Sequence, residues 1–311
     1  MPILCHNGCC PDSMPSETKV ANIKPRRASV RDGSKTTGQV QSLIRGLTIL
    51  ERLAEARDGD SLTDLAQRVG LATSTAHRLL KSLEQMRFVS QDSERGRWYI
   101  GVQTFRVGNA FLFNRDFVEL SRPVMRRLME ESGETANLAV LDDGQAVILS
   151  QVQCREMMRM LAKLGGRAPV HASAVGKALL ASLPDDEVSA ILHCRGLARV
   201  TPNTIDTPAR LREVLGDTRR CGYAIDDEEH AIGLRCVAAA FYDEHAEPLA
   251  AISLSGPRAR ISRERLAVMG NLVVEATAEI TESLGGRLPD WRMKLLRGDE
   301  SGPAALESYR T

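Results

Sequence analysis

The stretch His171-Ala-Ser-Ala-Val-Gly-Lys-Ala178 gathers small residues at the start of a predicted helix running from Ala174 to Leu183. Free backbone N–H groups and the positive end of a helix dipole make such a start receptive to an anion, and small side chains let a carboxylate come close. Close packing of a helix on a sheet uses the same small residues, so the stretch read alone supports both. Further on, Asp226-Asp-Glu-Glu-His-Ala-Ile-Gly-Leu-Arg-Cys236 is an acidic loop running into an apolar strand. Acids beside a histidine suit proton transfer or metal binding, and they equally suit a solvated loop. No HExxH pattern, paired-cysteine spacing or Gly-x-Ser-x-Gly elbow accompanies them. An enzyme would have to assemble Cys236, His171 and Asp226 from scattered positions. Arg235 could lower the Cys236 thiol pKa, but Val237-Ala-Ala-Ala240 behind it reads as a buried strand.

A different chemistry lies nearer the front. Between Thr73 and Met86, Ala76, Leu79, Leu80 and Leu83 form an apolar stripe, which leaves Ser74, His77, Arg78, Lys81 and Gln85 on the opposite face. Such a helix fits the major groove of duplex DNA. Arg78 can bond a guanine bidentately, Ser74 and His77 can donate or accept, and Lys81 suits a phosphate. Arg97 and Arg45 are candidates for backbone phosphates, and Lys35 with the earlier arginines for a minor groove. A solvated polar face is the plain alternative for one isolated helix.

The elements around that helix answer the alternative. Val40 to Ala56 reads as a helix through Leu43, Leu47, Leu50, Leu53 and Ala54, closed by Asp58-Gly59. Ser61 is the expected N-cap of a short helix, Leu62 to Val69, and Gly70 supplies the turn. Thr73 is the expected cap of the next helix. Phe88 to Gln91 and Arg97 to Ile100 read as two strands of a hairpin, which together make a winged helix-turn-helix. Val102 to Phe113 is a predicted linker helix. Beyond it come an amphipathic helix from Phe117 to Met129, strands around Asp143-Gly144, helices over Ala174 to Leu183 and Ala209 to Arg220, two apolar strands, and a long helix from Ser262 to about Leu284. Gly285-Gly286 ends it, and everything after Pro289 reads as a tail.

A chain of 311 residues accommodates two cores, and no apolar run approaches the roughly 18 residues of a membrane span. The N-terminus lacks the build of a secretory signal, which points to the cytoplasm. The net charge is only +1, but residues 1–36 carry six Lys or Arg against three acids, as a phosphate-contacting arm would. Seven cysteines, irregularly spaced, imply no disulfide framework. Cys5, His6, Cys9 and Cys10 cluster, yet they lack a second ligand pair to complete a structural zinc site.

Several separate motifs, in order, resemble the IclR family of transcriptional regulators. They are Gln39-Val-Gln-Ser-Leu-Ile-Arg-Gly-Leu47, Ser74-Thr-Ala-His-Arg-Leu-Leu80, Glu130-Glu-Ser-Gly-Glu-Thr135, the His171 stretch, and the Asp226 stretch with Ser253-Leu-Ser-Gly-Pro257. The resemblance covers about residues 38–286, and within the family it points to the branch that governs glyoxylate-bypass genes. It implies an α+β chain: a basic tail without fixed structure over 1–38, a winged helix-turn-helix over 39–101, a linker helix over 102–114, a GAF-like α/β effector-binding domain over 115–286, and a tail over 287–311. It further implies a repressor that binds a pseudopalindromic operator in double-stranded DNA through Arg45, Thr73, Ser74, Thr75, His77, Arg78, Lys81 and Arg97. Homodimers would pair into tetramers, with no catalysis, cofactor, metal or membrane involved. Carried over position by position, a small organic acid such as glyoxylate or pyruvate would meet the N–H groups of Ala174 and Val175, and Asp226, Cys236, Ser253 and Ser255. Leu234, Met157 and Met160 would form the apolar wall. Where that branch carries Gly-Ala, this chain has Ala174-Val175, which leaves the backbone donors and narrows the space. The cysteine-rich leader is not a family feature, and Met14 is an alternative start.

Overall fold

The computed structural model describes residues 40–113, 116–159 and 162–297; the N-terminal arm, its cysteine cluster and residues 298–311 lie outside them. Two compact units divide between Asn114 and Arg115.

The first unit runs α1 (Gln41–Glu55), β1 (Asp60–Ser61), α2 (Leu62–Val69), α3 (Thr73–Gln85), β2 (Val89–Asp92), β3 (Arg97–Ile100) and α4 (Val102–Phe113). Its antiparallel sheet has the order β1-β3-β2. Ile49, Leu53, Leu65, Leu80, Val89 and Trp98 close a core between the helices and the sheet. Ser61 caps α2 as its sequence suggests, its hydroxyl accepting from Asp64 N–H, and Gly70 ends the helix at φ +69°. Two expectations change. The N-cap of α3 is Ala72, not Thr73, and no side chain caps it. In α1 the buried positions are Gly46, Ile49 and Leu53, whereas Leu43 and Leu47 are exposed. The helix carries two apolar lines, and the short α2 and α3 cover only one.

The second unit runs α5 (Asp116–Ser132), β4 (Thr135–Asp142), β5 (Gln145–Val152), β6 (Arg167–Pro169), α6 (Ala174–Ala181), α7 (Asp185–Arg195), α8 (Pro208–Cys221), β7 (Ala224–Asp227), β8 (Leu234–Tyr242), β9 (Pro248–Pro257), α9 (Arg263–Ser283) and α10 (Asp290–Arg297). One antiparallel sheet, in the order β6-β5-β4-β9-β8-β7, is the centre. Helices α5 and α9 pack on one face. On the other lies α6, buried along its whole length, with α7 and α8 stacked against it through Leu180, Leu192, Leu211 and Leu215. Alternation along each strand sends Ala139, Ala238, Ala251 and Cys236 toward α6. Small side chains there let the helix approach closely.

Past Pro289, where the sequence reads as a tail, α10 docks instead. Arg292 is fully buried and donates to the carbonyls of Gly222 and Val274 and to the Thr277 hydroxyl. Gly222 is the left-handed C-cap of α8, so this guanidinium meets a carbonyl that the helix leaves without an internal partner. Among the described residues no helix is long and apolar enough to cross a membrane.

Candidate functional site

Helix α3 presents Ser74, His77, Arg78, Lys81 and Gln85 to solvent along one face; Thr73 is exposed beside them and Thr75 is half-buried. Because Ala72 offers no capping side chain, the N–H groups of Thr73 and Ser74 have no acceptor among the described hydrogen bonds. An uncapped helix start is suited to a phosphate oxygen. Lys81 Nζ is held by Glu84 at 2.8 Å and lies 5.3 Å from the centre of the Trp98 ring, which ties this face to the hairpin. Arg97 is exposed on β3, but one of its nitrogens donates to the carbonyls of Asp58 and Gly59 at 3.3 and 3.0 Å. It therefore braces the hairpin against the loop after α1. Arg45 is exposed on α1.

In the second unit a cavity of about 280 Å³ opens between the sheet and the N-terminus of α6. Strand pairing builds its floor as two parallel rungs. One aligns Asp226, Cys236, Ser255 and Thr135; the next aligns Ala238, Ser253, Asn137 and Gln151. Residues two apart share a face, so the carboxylate, the thiol and both hydroxyls converge. The roof is the start of α6. Ser173 caps it by accepting from Gly176 N–H at 3.2 Å, which leaves the N–H groups of Ala174 and Val175 without an acceptor among the described hydrogen bonds. Those two donors, lined up at the positive end of a helix, are what a carboxylate needs.

Burial dominates the electrostatics. Asp226 is 1% exposed, and burial pushes its carboxyl up to about 7 even though Lys177 opposes the shift. Its Oδ1 accepts from Glu229 N–H at 2.8 Å and His230 N–H at 3.2 Å, so the same carboxylate that faces the cavity shapes the turn behind it. Lys177 is fully buried and bonded to Glu229. Burial holds the Cys236 thiol well above its ordinary value, the opposite of what a nucleophile requires. His171 lies elsewhere, its Nε2 bonded to the Ala198 carbonyl at 3.0 Å. Among the described residues no group of three or more His, Cys, Asp or Glu is arranged to hold a metal ion.

The cavity thus gathers Ala174, Val175, Asp226, Leu234, Cys236, Ser253 and Ser255. Met157 is not in its wall: at 98% exposure it projects from the segment after β5 into solvent, and Met160 lies outside the described residues. Ile148, Ala162 and Ala168 join Leu234 as apolar lining. Asn137, Lys163 and Arg167 also line the cavity and escape the sequence reading, and His230, the histidine of the acidic stretch, joins them. For Asn137 and Ile148 the alternation within a strand was the available signal; the others sit in or beside loops with none. A larger hollow of about 410 Å³ is lined by charged groups already engaged with one another, Arg235 with Asp227 and Arg258 with Glu228.

Comparison with known proteins finds a domain match in each unit. Residues 42–93 match the IclR helix-turn-helix domain, and residues 109–282 match the bacterial transcriptional regulator IclR C-terminal domain. The chain is 50% identical over 252 residues to the acetate operon repressor of Salmonella typhimurium, covering 80% of this chain and 92% of that protein. It is 51% identical, over the same shares, to the transcriptional repressor IclR of Escherichia coli. Among solved structures, an IclR homologue from Microbacterium hydrocarbonoxydans complexed with 4-hydroxybenzoate aligns with a TM-score of 0.70 at 25% identity, covering 78% of this chain and 99% of that one. Domain matches across most of the sequence and two relatives at about half identity lead to one conclusion: the chain belongs to the IclR family of bacterial transcriptional regulators.

Proposed function

We propose that this chain is a cytoplasmic repressor of genes for acetate use through the glyoxylate bypass, and that a small keto acid such as glyoxylate or pyruvate controls its hold on DNA. The observation that carries the reading is the 50% identity to an acetate operon repressor over 92% of that protein's length. The cavity supports it. At about 280 Å³ it sits near the small end of ligand sites, which run from roughly 300 to 1,000 Å³, as suits a compact acid. The Ala174 and Val175 N–H groups would hold the carboxylate, while the serine hydroxyls and Asp226 would meet the carbonyl oxygen or its hydrate. Homodimers pairing into a tetramer would place the reading helices on a pseudopalindromic operator, with Ser74, Thr75, His77 and Arg78 toward base edges and Thr73, Lys81, Arg45 and Arg97 toward phosphates. The effector acts only through a difference in affinity between two assemblies.

Retardation of promoter fragments from the chain's own locus tests the DNA half. Arg78→Ala should weaken specific binding by about 1–3 kcal/mol and relax the base preference at one position. Unchanged affinity and preference remove Arg78 from the reading set. Calorimetric titration of the whole protein tests the other half: no heat with either keto acid defeats the acetate assignment. Binding of 4-hydroxybenzoate in their place would favour an aromatic-acid regulator, the second reading, which rests on the ligand in the solved relative.

A further inference from the structure

The cavity floor is connected to the protein surface by one unbroken line of hydrogen bonds. Arg159, exposed on the segment after β5, donates from Nε to Gln153 Oε1 at 3.3 Å. Gln153 Nε2 donates to Gln151 Oε1 at 3.1 Å, and Gln151 Nε2 donates to Asn137 Oδ1 at 2.7 Å. Asn137 Nδ2 then spends its two protons on Ser255 Oγ at 3.2 Å and Ser253 Oγ at 3.4 Å.

The direction of this line is decided at its outer end. A side-chain amide can turn over and exchange its oxygen for its nitrogen, but a guanidinium has donors only. Gln153 must therefore point its oxygen at Arg159, which leaves its NH₂ for Gln151. The same choice passes inward to Asn137. Each amide has its oxygen outward and its nitrogen inward, and both serine oxygens receive a proton from the protein.

We propose that Arg159, Gln153, Gln151 and Asn137 are positioning residues that hold Ser253 and Ser255 as hydrogen-bond donors to the effector, and so select an anionic, oxygen-rich ligand. A hydroxyl whose oxygen already accepts from the amide still has its own proton to give. The other acceptors in reach are the neighbouring hydroxyl, 3.5 Å away, and the Cys236 sulfur. Both are weaker than a carboxylate or an unhydrated carbonyl oxygen. With Asn137 reversed, the amide oxygen would draw the serine protons to itself and present lone pairs to the ligand. The residue farthest from the ligand thus sets whether the floor attracts or repels it.

This inference rests on the keto-acid reading of the cavity, and two measurements on the full chain separate them. Gln151→Glu places lone pairs where Asn137 now finds a donor, so Asn137 should turn over. Glyoxylate and pyruvate affinity should then fall about tenfold or more, the scale of a buried ligand oxygen left without its donor. Arg159→Met should weaken binding less, and Arg159→Lys, which keeps a donor, should restore it. Equal affinity in wild type and Gln151→Glu overturns the proposal. Side-chain amide hydrogen exchange at Gln151, followed by NMR without ligand, reads the line whichever acid the cavity takes. Slow exchange in wild type and fast exchange in Arg159→Met support it; equal exchange in the two overturns it, while failure of both keto acids to bind wild type defeats only the effector assignment.

Discussion

Replacing Asp226 by Asn should make the protein more stable at pH 8, although it alters a buried, hydrogen-bonded carboxyl. The carboxyl sits at about 7 in the folded chain against 3.8 in its unperturbed state, because burial outweighs the help of Lys177 and of two N–H donors. The folded state therefore holds a proton between pH 3.8 and 7 that the unfolded state has released. Stability contributed by this group falls as pH rises through that window, by about 1.4 kcal/mol per unit, and the full cost of roughly 4 kcal/mol is present above pH 7. Asn keeps an oxygen for the Glu229 and His230 N–H donors and has no charge to bury. Urea unfolding of both proteins at pH 5, 6, 7 and 8 measures the difference. The variant should gain on wild type from pH 5 to 7, by a few kcal/mol in all, and level off toward pH 8, and its own profile should be flatter. A constant difference, or a variant less stable at pH 8, refutes the assignment of a near-neutral carboxyl. The same reasoning makes a carboxylate ligand bind more tightly at pH 6 than at pH 8 in wild type, since a protonated Asp226 no longer repels it.

Arg292→Met should destabilise the second unit by about 1–3 kcal/mol, because the Gly222 carbonyl loses its buried donor; thermal unfolding reads it, and an unchanged midpoint would mean α10 contributes nothing. Val175→Ala removes two methyl groups beside the cavity while keeping the N–H donor. Affinity for bulkier acids should rise relative to glyoxylate, measured by competition titration, and no change in that ratio would show that Val175 does not limit the space.

The helix-turn-helix was legible because its signals are local. A Ser61 cap, a Gly70 turn and a 3.6-residue apolar stripe ending at Leu83 each act within a few residues. Where local chemistry was ambiguous, it misled: Thr73 is a good capping residue one position too late, and α1 carries a second apolar line that the core does not use. The cavity residues on strands came from the resemblance alone, and alternation in the folded strands is what puts them on one face. Asn137 did not, since its meaning depends on Ser253 and Gln151, brought beside it from 116 and 14 residues away. Met157 shows the converse, an apolar residue at a suggestive position whose loop turns it outward. The docking of α10 was illegible for another reason: Arg292 answers backbone carbonyls, and a carbonyl in need of a partner leaves no mark in an amino-acid sequence.

The turn held by Asp226 has a further consequence. The carbonyls of Glu228 and Glu229 are gripped by the hydroxyls of Thr201 and Thr204, at 2.7 and 2.8 Å, in the loop that precedes α8. One carboxylate thus joins the inside wall of the cavity to a hydroxyl clasp on its outer side. A change in where Asp226 sits would therefore pass through the turn to that clasp, and so to a loop on the far side of the cavity wall.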